Sequence, residues 1–404
     1  MSIYILIIEI NHKQKKRCII YHRRKNKIKE RFCVKMKVAR NIGIIIAIIL
    51  YSLMSFYVAN TINNDLINAF SIDIKYIVFL VFAIGTVLAL LTMGLINKNV
   101  GALVGKIGTY SFGFSIISFF LILITNLFGE IIFLGKINES YFSLVQLIII
   151  FAVFLYGRYN ASKIKITNYN IKIDKKSNLD KLNLVLISDL HLGYFNDNKK
   201  FKKNIDKINS LNPDAVVIAG DVFDGNFKAV QNNEETRILF NSIKSKYGTF
   251  LNFGNHDAGE TFKEMKSFVE SIDVNLLEDN LVKIEDKFAI AGRKDMRPIG
   301  FQGEARKKEW NEAGEYKLPI IVLEHEPVFG EYNGKADLVL SGHTHKGQIF
   351  PFNLATKMYY KNHYGHLKFE SGLQTIVTSG LGTWGPPIRI GSRNEIAKIN
   401  ITFK

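Results

Sequence analysis

The sequence is short of several things that organise other chains. Its 404 residues include 2 Cys, 7 Pro and 2 Trp. Two cysteines cannot build a disulfide framework, so a secreted scaffold stapled by bridges is excluded. With 7 Pro and 30 Gly in no fixed period, the chain is neither collagen-like nor of low complexity. Acidic residues are nearly missing from residues 1–40, where Glu9 and Glu30 face thirteen Lys and Arg. Charge of either sign is nearly missing from residues 41–157, which hold only Asp65, Asp73, Lys75, Lys98, Lys106, Glu130, Lys136 and Glu139. An ordinary single soluble domain is therefore excluded as well.

What is present divides by position. The chain carries a net charge of +17, and residues 1–40 account for eleven of those units. The total charge suggests a nucleic-acid binder, but the basic segment has no aromatic platform or recognition motif and the rest of the chain is only mildly basic, so no nucleic-acid partner is expected. We read 1–40 as a basic cytoplasmic segment that sets topology and meets anionic lipid. An alternative is upstream sequence translated from an early start, since Met36 stands just before Lys37, Arg40 and the first apolar run. The apolar stretch Ile3–Ile10 precedes the basic run and is too short to span, the wrong order for a secretory signal. Cys18 and Cys33 lie in this segment without metal-clip spacing and are expected to be reduced thiols.

Residues 41–157 contain uncharged runs at 41–60, 76–97, 107–129 and 140–157. A helix needs about 20 largely apolar residues to cross the hydrocarbon core, so four transmembrane helices are expected. Lys98, Lys106, Arg158, Lys163 and Lys165 fall on the same side as the basic segment, whereas only Lys75 and Lys136 fall on the other. This bias predicts a multi-pass cell-membrane protein whose globular part faces the cytoplasm. The outer loops are expected at 61–75 and 130–139, and no intramembrane charge stands out. A juxtamembrane linker with a first strand is expected over 158–180 and a globular domain over 181–404.

The globular part alternates apolar runs with amphipathic stretches. Residues 164–174 alternate at period two, as a half-buried strand does. The runs beginning at Leu182, Ala215, Phe250, Ile320 and Leu338 end in SDLHLG, GDVFDG, GNHDAG, HEP and GHTHKGQ. Helical stretches are expected at Lys199–Ser210, Glu234–Lys246 and Thr261–Ser271. Continuous Val/Ile/Leu strands alternating with helices predict an α/β domain whose sheet is covered on both faces, with ligands outside the carboxyl ends of the strands. Asp189, His191, Asp221, Asn255, His256, His325, His343 and His345 all sit at such ends. The Asp-x-His spacing of Asp189 and His191 puts both side chains on one side of an extended segment, and His343 and His345 repeat it.

The ordered series DLH, GDVFD, GNHD, HEP and GHTH resembles the calcineurin-like metallophosphoesterase family over roughly residues 183–346. The helices ahead of the domain and the later GLGTWGPPIRIG, Gly380–Gly391, are similar to its membrane-anchored bacterial branch, which includes UDP-diacylglucosamine pyrophosphatase-type enzymes. Lys346 departs from the pattern, standing where that family has glycine. The resemblance implies two packed β-sheets flanked by helices. It also implies two divalent metal ions, one held by Asp189, His191, Asp221 and His345 and the other by Asp221, Asn255, His325 and His343. Manganese, iron and zinc all suit such oxygen and nitrogen ligands. Two cations about 3.5–4 Å apart clamp a phosphate oxygen and acidify a water, so a metal-activated hydroxide is the expected nucleophile.

His256, next to the ligand Asn255, is the expected general acid or transition-state stabiliser. Asp257 is the second catalytic candidate, as the group that orients His256, and its alternative reading is a helix N-cap. Asp224 either supports a ligand His or shapes the turn at Gly225. Arg293, Arg297, Arg389 and Arg393 could meet a substrate phosphate, with Arg389 best placed by the resemblance and Arg293 next. Trp384 lines a pocket or packs at the membrane interface, and the aromatic, Lys-rich segment Tyr359, Tyr360, Tyr364, Phe369 is either a lipid-facing lip or a folded loop. The expected function is hydrolysis of a phosphoester or pyrophosphate bond, on a lipid-linked or membrane-associated substrate among membrane lipids. A phosphodiesterase of soluble or cyclic nucleotides with a mere membrane anchor is the alternative, and a non-catalytic sensor or scaffold a third.

Overall fold

The computed structural model describes residues 42–92, 101–133, 138–296, 306, 310 and 317–404. The basic segment with Cys18, Cys33 and Met36, and also Lys98, Lys136 and Arg297, lie outside the described residues.

Four apolar helices come first: α1 (Ile42–Phe70), α2 (Lys75–Thr92), α3 (Ala102–Phe133) and α4 (Glu139–Asn160). Of these, α1, α3 and α4 are long and apolar enough to cross a membrane, whereas α2 is apolar over the shorter stretch Lys75–Leu91. The helix α1 runs on through most of the expected outer loop, which corrects the boundary at residue 60. Its polar end persists as helix because its side chains find partners on α4 and in the turn before α2: Asn68 Nδ2 donates to Ser143 Oγ at 3.3 Å, and Asn63 Nδ2 to Asp73 Oδ1 at 3.3 Å. The same extension buries Asp65 inside the bundle, so an acidic residue does stand there, contrary to the sequence reading.

Only three residues separate α4 from the next element, β1 (Ile164–Ile173). The domain that follows is built on two six-stranded sheets. The first orders β1, β12 (Asn394–Phe403), β2 (Lys181–Ile187), β3 (Ala215–Ala219), β4 (Thr249–Asn252) and β5 (Asn275–Leu276). The second orders β10 (Gly365–Lys368), β11 (Gln374–Val377), β9 (Leu338–Ser341), β8 (Ile320–Leu323), β7 (Phe288–Gly292) and β6 (Asn280–Ile284). β2 to β5 run parallel, as do β7, β8, β9 and β11, while the antiparallel pairs β12–β2, β10–β11 and β6–β7 lie towards the edges. β1, expected in a linker, pairs with β12 along all its length, from Ile164 opposite Asn394 to Ile173 opposite Phe403.

Period-two alternation assigns each face. Leu182, Leu184 and Leu186 of β2 enter the layer between the sheets with Ile321, Leu323, Leu338 and Leu340. Val185 and Ile187 point the other way, under α5 (Asn198–Ser210), α6 (Asn233–Asn241) and α7 (Phe262–Glu270), where Phe201, Phe240 and Phe268 cover them. α6 ends at Asn241 rather than continuing to Lys246. The face of the second sheet away from that layer is closed by Trp310, Phe329 and Tyr332. With both faces covered, the free ends of the parallel strands are where polar groups can gather.

Candidate metal centre

Five strand ends supply the polar groups. Asp189 and His191 follow β2, Asp221 follows β3, Asn255 and His256 follow β4, His325 follows β8, and His343 and His345 follow β9. The loops are tied together through their backbones: Asp189 N donates to Gly220 O at 2.9 Å, His191 N to Asp221 O at 3.0 Å and Gly342 N to His325 O at 3.1 Å. Asp189, His191, Asp221, His343 and His345 all have positive φ, between 44° and 70°. Side chains other than glycine rarely adopt this conformation, which costs of order 1–3 kcal/mol each, so the surrounding hydrogen bonds hold strain where the side chains converge.

The donor atoms form two groups joined by one carboxylate. In the first, Asp189 Oδ1 lies 3.3 Å from His345 Nε2, which lies 3.2 Å from His191 Nε2. In the second, Asn255 Oδ1 lies 2.9 Å from His343 Nδ1 and 3.0 Å from His325 Nε2. Asp221 Oδ2 stands between them, 3.2 Å from His325 Nε2 and 3.7 Å from His191 Nε2. All seven sequence-predicted ligand residues are thus brought together, and Asp221 occupies the position between the two groups.

The electrostatics fit cations at this place. Asp189 is fully buried and its carboxyl is pushed up by burial and by Asp221. Burial would pull His191 down, but Asp224, Asp221 and Asp189 outweigh it and push the imidazole up to about 9. His325 is raised as well, its burial outweighed by Asp221 and Asp189, whereas burial, His191 and Arg389 hold His345 well down. Two imidazole nitrogens 3.2 Å apart beside buried carboxylates offer the mixed oxygen and nitrogen ligands that suit a divalent ion. Ligand atoms of Asp189, His191 and His345, and of Asp189, Asp221 and His325, lie within 4.8 Å of one another.

His256 lies at the rim. Its backbone N–H donates to Asp221 Oδ1 at 2.8 Å and its ring meets the His191 ring edge-on, with centroids 4.9 Å apart. Burial, with His191, lowers its pKa in spite of Asp221. Asp257 does not accompany it. The Asp257 carboxylate accepts from the N–H groups of Val222 at 3.0 Å, Phe223 at 2.8 Å and Gly254 at 3.0 Å, clamping the loops after β3 and β4 together. Nor does it cap α7, whose N-cap is Thr261. The carboxylate near His256 is that of Asp224, which also lies 3.4 Å from His191 Nδ1.

The two arginines expected to meet substrate are both fully buried. Arg389 Nη2 donates to the carbonyls of Ser379 and Gly382 at 2.7 Å each, and Nη1 to His345 O at 3.3 Å and Ser392 Oγ at 3.1 Å. Arg293 pairs with Asp279 at 2.8 Å and Glu331 at 3.1 Å. Both guanidiniums belong to the framework, and neither lines the cleft described below. Lys346 adopts φ 52°, the conformation that glycine takes without cost, and its ammonium lies 4.2 Å from the Tyr364 ring centroid.

A cleft of about 390 Å³ opens over the centre. Asp221, Asn255, His256, His343 and His345 line its floor, Ile349, Phe352, Trp384 and Pro386 its sides, and Phe112 and Ile116 of α3 its far wall. The helices meet the domain closely here. A Cβ on Gly113 would lie 2.8 Å from Ile388 and Pro386 carbons, and one on Gly157 would lie 2.6 Å from Ile388. Arg389 N donates to Gly157 O at 3.0 Å, and Asn160 Nδ2 donates to Arg389 O at 2.9 Å and Ser392 O at 2.8 Å. Sequence reasoning missed Phe112 and Ile116 because nothing local marks an apolar helix residue as facing a distant loop. It also missed Gln348, within GHTHKGQ, whose side chain bonds Trp384 at both its nitrogen, 2.7 Å, and its oxygen, 2.9 Å.

Fold and site together define a two-sheet α/β domain that carries a donor set for divalent cations at its strand ends. The family model for calcineurin-like phosphoesterases matches residues 182–347. An uncharacterized metallophosphoesterase of Helicobacter pylori is 33% identical over 252 residues, 59% of this chain and 64% of that protein. A transmembrane protein with metallophosphoesterase domain from Danio rerio is 31% identical over 273 residues, 64% of this chain and 62% of that protein. An uncharacterized metallophosphoesterase of Campylobacter jejuni is 30% identical over 292 residues, 67% of this chain and 74% of that protein. The chain belongs to the calcineurin-like metallophosphoesterase family. It spans less than two thirds of the length of the first two of these relatives.

Proposed function

We propose that the protein is a multi-pass membrane phosphohydrolase that uses two divalent cations to cleave a phosphoester or pyrophosphate bond of a lipid-linked substrate at the cytoplasmic surface. The observation that carries this reading is a single cleft lined both by the candidate ligands Asp221, Asn255, His343 and His345 and by Phe112 and Ile116 of α3. A phosphate on the floor of that cleft has an apolar wall above it, supplied by a helix long enough to cross a membrane. Such a site suits an amphiphile, and gives a soluble nucleotide no use for the wall. The acyl-bearing pyrophosphates implied by the likeness of Gly380–Gly391 to the UDP-diacylglucosamine pyrophosphatase branch fall within this class.

Asp189, His191 and His345 would hold one cation, Asn255, His325 and His343 the other, and Asp221 both. When bound, the cations neutralise phosphate charge and make a water acidic enough to serve as nucleophile near neutral pH. His256, at the floor of the cleft beside Trp384, is kept neutral by burial and stabilises the departing oxygen by donating a ring N–H to it. Asp224 keeps His191 oriented, and Asp257 fixes the backbone under Asp221. The cytoplasmic orientation is supported by Arg158 in the last turn of α4 and by Lys163 and Lys165 just after it.

The test compares a long-chain phospholipid substrate with a small chromogenic phosphodiester, using full-length protein in detergent with added manganese. Asp221→Ala should abolish both activities. Ile116→Trp, which fills the cleft wall, should lower hydrolysis of the long-chain substrate at least about tenfold, the equivalent of roughly 1.4 kcal/mol, and leave the small one nearly unchanged. Equal loss on both substrates, or a preference for nucleotides unaffected by Ile116→Trp, would overturn the lipid-linked reading.

A further inference from the structure

We propose that helix α8 (Phe352–Tyr359), with the Phe350–Pro351 step before it, is seated in the acyl-chain layer of the leaflet next to the domain, so that the cleft opens sideways into lipid. The inference rests on α1, α3 and α4 being membrane spans. It stands whether or not the substrate is lipid-linked.

Exposure is the first argument. No residue of α8 is buried, and Phe352, Leu354, Met358 and Tyr359 are 43%, 51%, 89% and 66% exposed. Among the described residues of the domain, the other exposed large apolar side chains are scattered, except Phe350 and Trp384 beside the same cleft. The two faces of α8 differ. Phe352 and Thr356 line the cleft, whereas Leu354 and Met358, one turn apart, point away from it. An apolar face turned away from the fold marks an interaction surface.

Depth is the second. The Phe352 ring meets the Phe120 ring of α3 edge-on, with centroids 6.0 Å apart. The polar end of the bundle is marked by Tyr110, which packs on Phe154 of α4 and holds the Arg158 guanidinium 6.0 Å from its ring centroid. Phe120 is ten residues further along α3, about 15 Å at the helical rise, which is half of a hydrocarbon core of about 30 Å. The start of α8 therefore reaches acyl-chain depth and continues the apolar surface of α3.

Charge is the third. Residues 347–364 contain Lys357 and Lys361 and no Asp or Glu, and Lys346 precedes them. A short, mostly apolar helix with one Lys in its last turn, further Lys on either side and no acids suits a leaflet with anionic headgroups.

The experiment uses full-length protein with Cys18→Ser and Cys33→Ser, reconstituted in phosphatidylcholine–phosphatidylglycerol vesicles. Met358→Cys carries an environment-sensitive fluorophore. Leu155→Cys on α4, where Leu155 is 64% exposed, is the lipid-facing control, and Ile238→Cys on α6, where Ile238 is 67% exposed, the aqueous one. Lipids bearing a nitroxide in mid-chain should quench the label at 358 to the same extent as the label at 155, and aqueous iodide should quench only the label at 238. Tyr359→Cys repeats the measurement if Met358→Cys does not assemble. A label at 358 quenched by iodide and not by nitroxide overturns the proposal, because the face is then in water. Shielding from both quenchers overturns it in favour of a second copy covering the face. No turnover is needed, so failure of the functional reading leaves the result interpretable.

Discussion

The guanidinium of Arg389 rests against His345, with Nη1 3.3 Å from its carbonyl oxygen and Nη2 3.4 Å from its Nδ1, while the backbone N–H of Arg389 is bonded to Gly157 at the end of α4. One residue therefore connects a candidate metal ligand to a helix of the bundle. Arg389→Lys should weaken manganese binding about 10–100-fold, because an ammonium cannot replace a planar fork that meets several carbonyls at once. The check is activity titrated against manganese. Recovery at saturating metal fits a positioning role for His345, and a loss independent of metal would show simple misfolding.

His256 and Asp257 should separate cleanly. His256→Gln should lower kcat about 10²–10⁴-fold with manganese content unchanged, since its ring lies outside both donor groups. Asp257→Leu removes the acceptor of three buried N–H groups and should lower thermal stability by about 1–3 kcal/mol or more, with activity lost only as folded protein is lost. Metal analysis and thermal melts on the two variants distinguish these outcomes.

Gly157→Leu places a side chain where Ile388 and Ile390 now sit. Overpacking of this kind costs typically about 1–3 kcal/mol, and here it should also push the 388–392 loop from α4. Gly43→Leu, on α1 with nothing within 4 Å of its Cβ, is the matched control and should melt like the parent protein. Equal melting of the two variants would contradict the close helix–domain contact.

Lys200 supplies a pH dependence away from the metal ligands. Burial, with Arg389 and Arg158 nearby, lowers its pKa from 10.5 to about 8, although Nζ donates to Asn196 Oδ1 at 2.6 Å. Its folded value lies below its unfolded one, so between about 8 and 10.5 the unfolded chain binds more protons and stability should rise with pH through that window. Below about 8 both states are protonated and the charge opposes folding in full. Lys200→Met should therefore raise the melting temperature at pH 7 and flatten its dependence on alkaline pH.

The donor set was legible because each ligand closes an apolar run, and a strand that stops at Asp, Asn or His presents it at the sheet's open end. Its exact neighbours were not. Asp257 follows a ligand directly, yet its carboxylate turns to backbone amides supplied by two separate loops. Arg389 reads from the sequence as a contact for substrate phosphate, and only the folded loop reveals the carbonyls that occupy it. β5, β6, β7, β10, β11 and β12 escaped notice because none of them ends in a polar motif of the kind that marks β2, β3, β4, β8 and β9, four of which are themselves only four or five residues long. The end of α1 read as the start of an outer loop after the uncharged run 41–60, but hydrogen bonds to other parts of the bundle, invisible in a local window, keep it helical.

The edge pairing of β1 with β12 has a kinetic meaning. Residues 164–173 leave the helical bundle early in synthesis, and their partners 394–403 lie 230 residues further along the chain. Until then β2, whose neighbour on that side is also β12, stands as an open edge beside β3. Contacts of such separation form slowly, and an unpaired edge next to a bilayer invites wrong partners. Maturation of this domain should therefore be limited by the arrival of its final strand, and chains interrupted before residue 394 should be recognised as unfinished and degraded, even with every candidate metal ligand already made.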